Sequence, residues 1–262
     1  MADADGPLVL RTDAAHVATL TMDRPRSRNA LSRAMLAALA EQLAAVEADP
    51  SVHVVVLAGN GPAFSAGHDL REIQAHPDAE LRERLFAQCS DLMVQVARLR
   101  QPVIAAVAGV ATAAGCQLVA SCDLAVAGAS ARFATPGVDI GLFCSTPMVA
   151  LTRAVAPKHA MELLLTGDLV GAEEAARIGL VNRVVPDAEL ASAVAALAGR
   201  IAAKSPLTVA IGKEASWRQR DLPVVDAYAY TSAVMARNLD TADATEGIAA
   251  FLEKRDPTWQ GR

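Results

Sequence analysis

The chain has 262 residues, of which 53% are hydrophobic and 20% charged, so it can bury a substantial core without disulfide or metal cross-links. A formal net charge of -5 gives no general affinity for nucleic acid, and we expect no nucleic-acid partner. The four cysteines form no CxxC pair and have no histidines at metal-ligand spacing. We therefore expect reduced cysteines and no bound metal.

The amino-terminal segment, "MADADGPLVLRTDAAHV", is acidic and polar before its first apolar run. This pattern differs from a secretory signal and from an Arg-rich transit peptide, so it predicts a cytoplasmic location. Two strands are predicted in "PLVLRTD" and "VATLTMDRP", because both are rich in β-branched or apolar residues and end in turn formers. A helix is predicted from about Ser32, with apolar residues at helical spacing. These residues are Met35, Leu39, Leu43 and Val46.

The central segments alternate between strand and helix patterns. The stretch "VHVVVLAG" predicts a strand covered on both faces, because its apolar residues do not alternate with polar ones. After a glycine-containing loop, "AELRERLFAQCSDLMVQVARLR" predicts an amphipathic helix with one apolar stripe. The stripe consists of Leu81, Leu85, Cys89, Leu92, Val96 and Leu99. Strand and turn patterns then recur in "PVIAAVAG" and "CDLAVAG".

One nearly uncharged stretch, "PVIAAVAGVATAAGCQLVASC", is long enough to span a bilayer. Its first residues end at Gly109 like a buried strand, and the small residues that follow suit a helix packed inside protein. Gln117 and Asp123 also fit that interpretation. We therefore expect no membrane partner.

The carboxy-terminal part, from Pro147 onward, has an almost wholly helical pattern punctuated by proline and glycine. Alternating strands and helices followed by helices alone predict an α/β fold with a helical appendage. We place the core at residues 1–200 and the C-terminal helical region at residues 201–262.

Two loops of similar construction carry the candidate chemistry. In "FSAGHDL", Gly67 permits a strained turn from a strand into a helix that begins near Asp69. In "GVATAAGCQL", a strand ends at Gly109 and a helix begins near Ala114 or Gly115. Each junction leaves unpaired backbone N–H groups, and two facing helix starts would stabilise a carbonyl oxygen that becomes negative during a reaction. Tight turns chosen for packing are the alternative explanation.

Six motifs occur in the order and spacing of the enoyl-CoA hydratase (crotonase) family, which the chain resembles over nearly its whole length. They are "RPRSRNAL", "GNGPAFSAGHDL", "ATAAGCQLVASCDLAVA", "FATPGVDIGLF", "LLTGDLVGAEEAARIGLVNRVVP" and "EGIAAFLEKRDPTW". The resemblance implies a crotonase-like spiral of ββα units, with an acyl-CoA-binding core and a C-terminal oligomerisation region that makes a homotrimer or a dimer of trimers. It also implies an acyl-CoA thioester as ligand, with coenzyme A as part of the substrate and no other cofactor.

The resemblance also assigns site residues. The backbone N–H groups of His68 and Ala114 would form an oxyanion hole. Phe251 and Lys254 would reach the CoA site of a neighbouring subunit, where a cation suits phosphate groups. The other residues that it assigns to substrate binding are Arg26, Arg28, Ala66, Gly67, Asp69, Leu70 and Gly115.

Two residues depart from the family pattern. Family hydratases carry glutamates at the positions of Gln117 and Gly137. A glutamine cannot exchange a proton near neutral pH and a glycine has no side chain, whereas a positioned acid or base contributes roughly 10²–10⁴-fold to a rate. We therefore do not expect efficient hydration. The alternatives are a non-catalytic acyl-CoA-binding protein, or a thioester hydrolase or isomerase that uses other side chains.

Several side chains are candidates to replace the missing glutamates. His68 is a candidate because free histidine side chains titrate near neutrality, although the family role of this position is through the backbone. Asp69 is interpreted as the cap of the following helix, and Asp139 either turns into the site or bonds to backbone. Cys144 and Ser145 are possible nucleophiles that would need a base within hydrogen-bond reach. No functional role is expected for His16, His53, His76 and His159.

Overall fold

A computed structural model describes residues 6–75 and 78–262, so His76 lies outside the described residues. The strands are β1 (Val9–Ala14), β2 (Val17–Met22), β3 (Val54–Gly59), β4 (Ala63–Ser65), β5 (Val103–Val107), β6 (Val110–Thr112), β7 (Leu124–Gly128), β8 (Arg132–Ala134), β9 (Val170–Gly171) and β10 (Arg183–Val185). The α-helices are α1 (Arg33–Glu47), α2 (Leu70–Ala75), α3 (Ala79–Arg98), α4 (Ala114–Ser121), α5 (Ser145–Ala154), α6 (Pro157–Thr166), α7 (Ala172–Arg177), α8 (Leu190–Ala202), α9 (Pro206–Gln219), α10 (Val224–Leu239) and α11 (Ala242–Glu253).

The larger sheet has six strands in the order β1-β2-β3-β5-β7-β10. All neighbouring pairs are parallel except β1 with β2. Its third strand is covered on both faces, as predicted. Val55 and Leu57 pack in the cluster that contains α1 and α3, and Val54 and Val56 pack in the cluster that contains α8.

The smaller sheet has four strands in the order β4-β6-β8-β9. Its first three strands are parallel, and β9 pairs antiparallel with β8. Successive pairs along the chain, β3 with β4, β5 with β6 and β7 with β8, each contribute one strand to each sheet. This arrangement confirms the predicted spiral of ββα units in an α/β fold.

The first predicted helix is α1, and Ser32 is its N-cap. The Ser32 Oγ accepts a hydrogen bond from the Met35 N–H at 3.2 Å, which satisfies one of the free amides at a helix start. The apolar stripe of α1 is buried, as is that of α3 except for its first residue, Leu81, which is half-buried.

The nearly uncharged stretch that begins at Pro102 forms β5, β6 and α4, whose residues are largely buried within the protein. Among the described residues, no single helix is long and apolar enough to cross a membrane. Residues Asp187–Ala202 and Pro206–Gln219 pass that test only together, as a pair bent by 101°.

The almost wholly helical pattern predicted after Pro147 is wrong in two places. β9 is an edge strand of the smaller sheet, and β10 is an edge strand of the larger one. Both are too short, at two and three residues, to show a strand period in the sequence. The boundary placed between residues 200 and 201 falls two residues before the end of α8, and the two-part division stays a prediction.

Candidate functional site

The two loops singled out in the sequence lie against each other. Gly67 has a φ of +86°, and a Cβ atom built on it would lie 2.9 Å from both the Ala113 Cβ and the Thr112 carbonyl oxygen. The same atom would lie 3.2 Å from the Ala114 nitrogen. His68 directly follows Gly67, and Ala114 is the first residue of α4, where a backbone N–H has no intrahelical acceptor. The fold therefore brings the two proposed donor segments into contact.

Glycines make this approach possible at two further points. A Cβ atom on Gly115 would lie 2.2 Å from the Ser65 carbonyl oxygen, and one on Gly109 would lie 2.1 Å from the Pro62 carbonyl oxygen. Both distances are shorter than non-bonded contacts between carbon and oxygen atoms in proteins. These two glycines allow the β5–β6 turn and the start of α4 to pack directly on the backbone at the two ends of β4.

The loop before α2 is paired with the segment from Arg28 to Leu31. The Ala66 N–H donates to the Arg28 carbonyl at 3.0 Å, and the Leu31 N–H donates to the Gly67 carbonyl at 2.7 Å. Arg28 itself is exposed and has a left-handed backbone. The position assigned to CoA binding at Ala66 is thus held by the segment that begins at Arg28, two residues after Arg26.

Asn29 is the residue that sequence reasoning missed. It is fully buried with a φ of 51°, and its Nδ2 donates to the Ala63 carbonyl at 2.8 Å and to the Asn60 carbonyl at 2.9 Å. Its own carbonyl accepts from the Ser65 hydroxyl at 2.9 Å. The available signal was an asparagine in a short turn, since asparagine adopts left-handed backbone more readily than most residues.

The imidazole of His68 packs between the backbone of Leu31 and the ring of Phe86. Its Nδ1 lies 3.3 Å from the Leu31 carbonyl oxygen, and its ring meets Phe86 edge-on at 5.3 Å between centroids. The Nε2 is buried and has no hydrogen-bond partner among the described residues. Burial lowers the pKa of His68, so the neutral ring is favoured near pH 7.

Asp69 caps α2, which confirms its interpretation. Its Oδ1 accepts from the Arg71 N–H at 3.1 Å and from the Glu72 N–H at 3.3 Å. The next residue, Leu70, is 54% exposed at the start of the same helix. A carboxylate that accepts hydrogen bonds from two backbone N–H groups stabilises the start of its own helix.

Gln117 faces the interior from α4. It is 4% exposed, and its Oε1 is buried without a hydrogen-bond partner among the described residues. It lines an open cavity of about 900 Å³ between α3, α4, α5 and α9. His68, Ala114 and Gly137 are not among the residues lining this cavity, so Gln117 alone connects it to the residues predicted as catalytic.

Gly137 is buried in a short turn before α5, and it has no space for a side chain. A Cβ atom there would lie 2.6 Å from the Leu142 carbonyl oxygen and 2.9 Å from the Cys144 Sγ. The volume that a glutamate side chain would enter is therefore occupied by Leu142 and Cys144. Burial raises the pKa of the Cys144 thiol and raises that of Cys116 to about 12, so both remain protonated near neutral pH.

The other two candidate side chains lie at the surface. Asp139 is exposed, and its Oδ2 lies 3.2 Å from the point where a Cβ of Gly167 would stand. It therefore faces the end of α6. Ser145 is exposed at the start of α5, and its hydroxyl is 3.4 Å from the Phe143 carbonyl oxygen. Neither hydroxyl nor carboxylate has a titratable hydrogen-bond partner among the described residues.

The two residues expected to reach a neighbouring subunit lie at the end of α11. Phe251 is 82% exposed, and Lys254 forms the left-handed C-cap of this helix with a φ of 55°. Their contact with a neighbouring CoA site stays a prediction.

These features define the class: a two-sheet spiral in which consecutive strand-to-helix junctions meet and present backbone amides. The model of the enoyl-CoA hydratase/isomerase family matches residues 12–262. The chain belongs to the enoyl-CoA hydratase/isomerase family, as its six motifs predicted.

Individual relatives give the same result. The mitochondrial enoyl-CoA hydratase domain-containing protein 3 of Danio rerio is 44% identical over 99% of this chain and 90% of its own length. A crystal structure of an enoyl-CoA hydratase from Mycobacterium smegmatis superposes with a TM-score of 0.95 at 52% identity, over 97% of this chain and 99% of that one. The human enoyl-CoA hydratase domain-containing protein 3 superposes with a TM-score of 0.94 at 42% identity, over 96% and 100%.

The predicted cytoplasmic location is wrong by this comparison. Relatives from fish, frog, rat, human and mouse that are 43–44% identical to the chain are all named mitochondrial. The prediction rested on the composition of the first residues, which is a weaker indicator than the names of relatives that match nearly the whole chain.

Proposed function

We propose that this protein binds a fatty acyl-CoA or a related thioester with its carbonyl oxygen between the N–H groups of His68 and Ala114. The observation that carries the proposal is the contact between Gly67 and the segment from Thr112 to Ala114, with distances of 2.9–3.2 Å to a Cβ built on Gly67. Donors fixed by the fold need no reorganisation when negative charge develops on the thioester oxygen. Removing one such donor typically costs about 3–4 kcal/mol of transition-state stabilisation.

The residues at the family's acid and base positions support a site that has no side chain suited to proton transfer. Gln117 is buried but cannot exchange a proton, and Gly137 has no room for a side chain. The His68 ring is engaged by Leu31 and Phe86 and has a lowered pKa. The reaction that fits best is one that needs only oxyanion or enolate stabilisation, namely weak hydration, isomerisation or thioester hydrolysis within fatty-acid or related CoA-ester metabolism.

A non-catalytic acyl-CoA-binding protein is the second candidate. The specific observation in its favour is that Leu142 and Cys144 fill the position of the second family glutamate. A protein under no requirement to move protons can lose both carboxylates while it keeps the amides that hold the thioester.

The proposal includes a homotrimer or a dimer of trimers. α10 and α11 expose large apolar side chains, including Val225, Tyr228, Phe251 and Leu252, each more than 70% exposed. Exposed apolar surface of this extent is typical of a protein–protein contact.

Replacing Ala114 by proline tests the thioester position. Proline is tolerated in the first turn of a helix but has no N–H to donate, so affinity for an acyl-CoA thioether analogue should fall, and any turnover should fall about 10²–10³-fold. Ala114→Gly keeps the N–H and is the matched control. Unchanged affinity and turnover in a folded Ala114→Pro protein would refute the proposal. Turnover of a panel of CoA esters by the unmodified protein separates the enzyme from the binding protein.

A further inference from the structure

The cavity behind Gln117 follows the length of α4. Gln117 and Ser121 are one helical turn apart on α4 and both line the cavity. Ala114 begins this helix and Ser121 ends it, a distance of about 10 Å at 1.5 Å per residue. The cavity therefore begins at Gln117, one helical turn after Ala114, and follows α4 toward its C-terminal end.

The wall of the cavity contains both apolar and cationic side chains. Apolar side chains of α3, α5 and α9 line it, among them Met93, Val149 and Ile211. Arg98 and Arg153 also line it; both are exposed, and they lie at the C-terminal ends of α3 and α5. The Asp123 carboxylate, two residues beyond Ser121, accepts a hydrogen bond from the Val103 N–H at 2.8 Å, so the C-terminal end of α4 lies near the segment that follows Arg98.

The charges of this region do not cancel. Two of the lining cations are paired, Lys213 with Asp123 at 2.7 Å and Arg218 with Glu214 at 3.0 Å. Arg98 and Arg153 have no ion-pair partner among the described residues; the Nη1 of Arg153 donates to the carbonyl of Val149 in its own helix at 3.0 Å. Arg100 also lines the cavity, and Asp221 is the remaining acidic residue of the wall. This positive region is notable in a chain of net charge -5.

Resting on the proposed function, we propose that the cavity receives the acyl chain and that Arg98 and Arg153 bind an anionic group at its far end. The substrate class is then an acyl-CoA whose acyl chain ends in a carboxylate. An extended chain covers about 3.5 Å in three bonds, so a passage of about 10 Å suits an acyl group of about eight carbons. A guanidinium binds a carboxylate through paired hydrogen bonds, and the apolar wall accepts the methylene groups between the two ends.

The test compares two CoA esters of equal length, octanoyl-CoA and the mono-CoA ester of octanedioic acid. Isothermal titration calorimetry of the full chain should show tighter binding of the carboxylate-ended ester by roughly 10- to 100-fold, the range for hydrogen bonds to a charged group. In Arg98→Gln/Arg153→Gln, the ratio of the two dissociation constants should fall toward one. Arg82→Gln, which changes an exposed cation of α3 outside the cavity wall, should keep the ratio of the unmodified protein.

A second variant keeps the test valid if the arginine pair affects folding. Ala210 lines the cavity from α9, so Ala210→Trp should weaken both eight-carbon esters far more than acetyl-CoA. The inference would be overturned if the unmodified protein bound octanoyl-CoA as tightly as, or more tightly than, the carboxylate-ended ester. It would also be overturned if the ratio of the two dissociation constants were unchanged in Arg98→Gln/Arg153→Gln. If acetyl-CoA binds and the preference is absent, only this inference fails. If no CoA ester binds, the proposed function fails with it.

Discussion

The ammonium group of Lys213 lies 2.7 Å from the carboxylate of Asp123, and this pair joins α9 to the core. The Lys213 Nζ also donates to the carbonyls of Gln101 at 2.9 Å and Val96 at 3.2 Å. The Asp123 Oδ2 accepts from the Val103 N–H at 2.8 Å. Desolvation is the main cause of a lowered pKa for Lys213 and a raised pKa for Asp123, so burial opposes both charges and their mutual attraction offsets part of that cost.

Removing one partner of this pair should destabilise the protein more than removing both. Lys213→Met leaves a buried carboxylate without its cation, which costs about 3–5 kcal/mol in comparable pairs. Lys213→Met/Asp123→Leu removes both charges and should regain much of that loss, although the Val103 N–H then lacks its acceptor. Chemical denaturation monitored by tryptophan fluorescence gives the comparison. A double variant no more stable than the single one would contradict this account.

Gln117→Glu should create a carboxyl group with a raised pKa, because residue 117 is 4% exposed and burial disfavours the charged form. A folded-state pKa above the unfolded value means that the folded variant holds its proton more tightly, so its stability relative to the unmodified protein should fall as pH rises between those two values. Melting temperatures of both proteins at a series of pH values between 4 and 8 provide the measurement. A difference in melting temperature that does not change with pH would show that residue 117 is well solvated.

Gly137→Glu should lower the melting temperature, because its Cβ would lie 2.6 Å from the Leu142 carbonyl oxygen. Adding Cys144→Ala removes the second obstacle, the Sγ at 2.9 Å, and should recover part of the loss. If the triple variant with Gln117→Glu folds, it should hydrate a short enoyl-CoA faster than the unmodified protein, since a positioned acid or base contributes roughly 10²–10⁴-fold. Efficient hydration by the unmodified protein would instead reveal an unrecognised base.

The sequence predicted the alternating strands and helices and the two loops because both depend on local patterns, whereas the spiral was expected from the resemblance to the family. Apolar runs mark β3 and β5, and glycines mark the junctions at Gly67 and Gly115. The sequence could not show that Gly137 lacks space, because the obstacles are the carbonyl of Leu142 and the thiol of Cys144, which reach it only after the turn has folded. A glycine that is conformationally required and one that is merely surrounded look the same in a sequence.

The cavity was also beyond sequence reasoning. Its walls come from four helices, and Arg98 and Arg153 are 55 positions apart in the chain. Arginines at helix C-termini are common because they suit the helix dipole, so nothing in the local pattern indicates a shared site. Asn29 was missed for a similar reason: its partners Asn60 and Ala63 lie on another turn of the spiral.

The pH dependence of stability should include a contribution from Glu246. Hydrogen bonds from Arg255, and then from the Thr258 N–H, lower the pKa of Glu246 to about 2. A lowered folded-state pKa means that the contribution is present above the unfolded pKa, near 4.5, and is lost as pH falls toward 2. The melting-temperature difference between the unmodified protein and Glu246→Gln should therefore shrink between pH 5 and pH 2.5. Glu41→Gln on α1 is the control, and an equal pH trend for both variants would refute the assignment.

Charge placed on the exposed apolar face of the last helices should break the oligomer. Val225 is 75% exposed and Phe251 is 82% exposed, so Val225→Asp and Phe251→Asp would bury a carboxylate in the proposed interface between subunits. Analytical ultracentrifugation should show trimers or hexamers for the unmodified protein and smaller species for these variants. Ser216→Asp, at an exposed position of α9, should sediment like the unmodified protein. A stable monomer of the unmodified chain would rule out the oligomer.

The alternation of strands between the two sheets has a consequence for how the protein can be divided. Each passage of the chain from β3 to β8 places one strand in the larger sheet and the next in the smaller one, so a cut anywhere in this region interrupts both sheets at once. Neither fragment would retain a complete sheet or a closed hydrophobic core. Limited proteolysis within this region should therefore give no long-lived fragments, and denaturation should remove both sheets in a single transition.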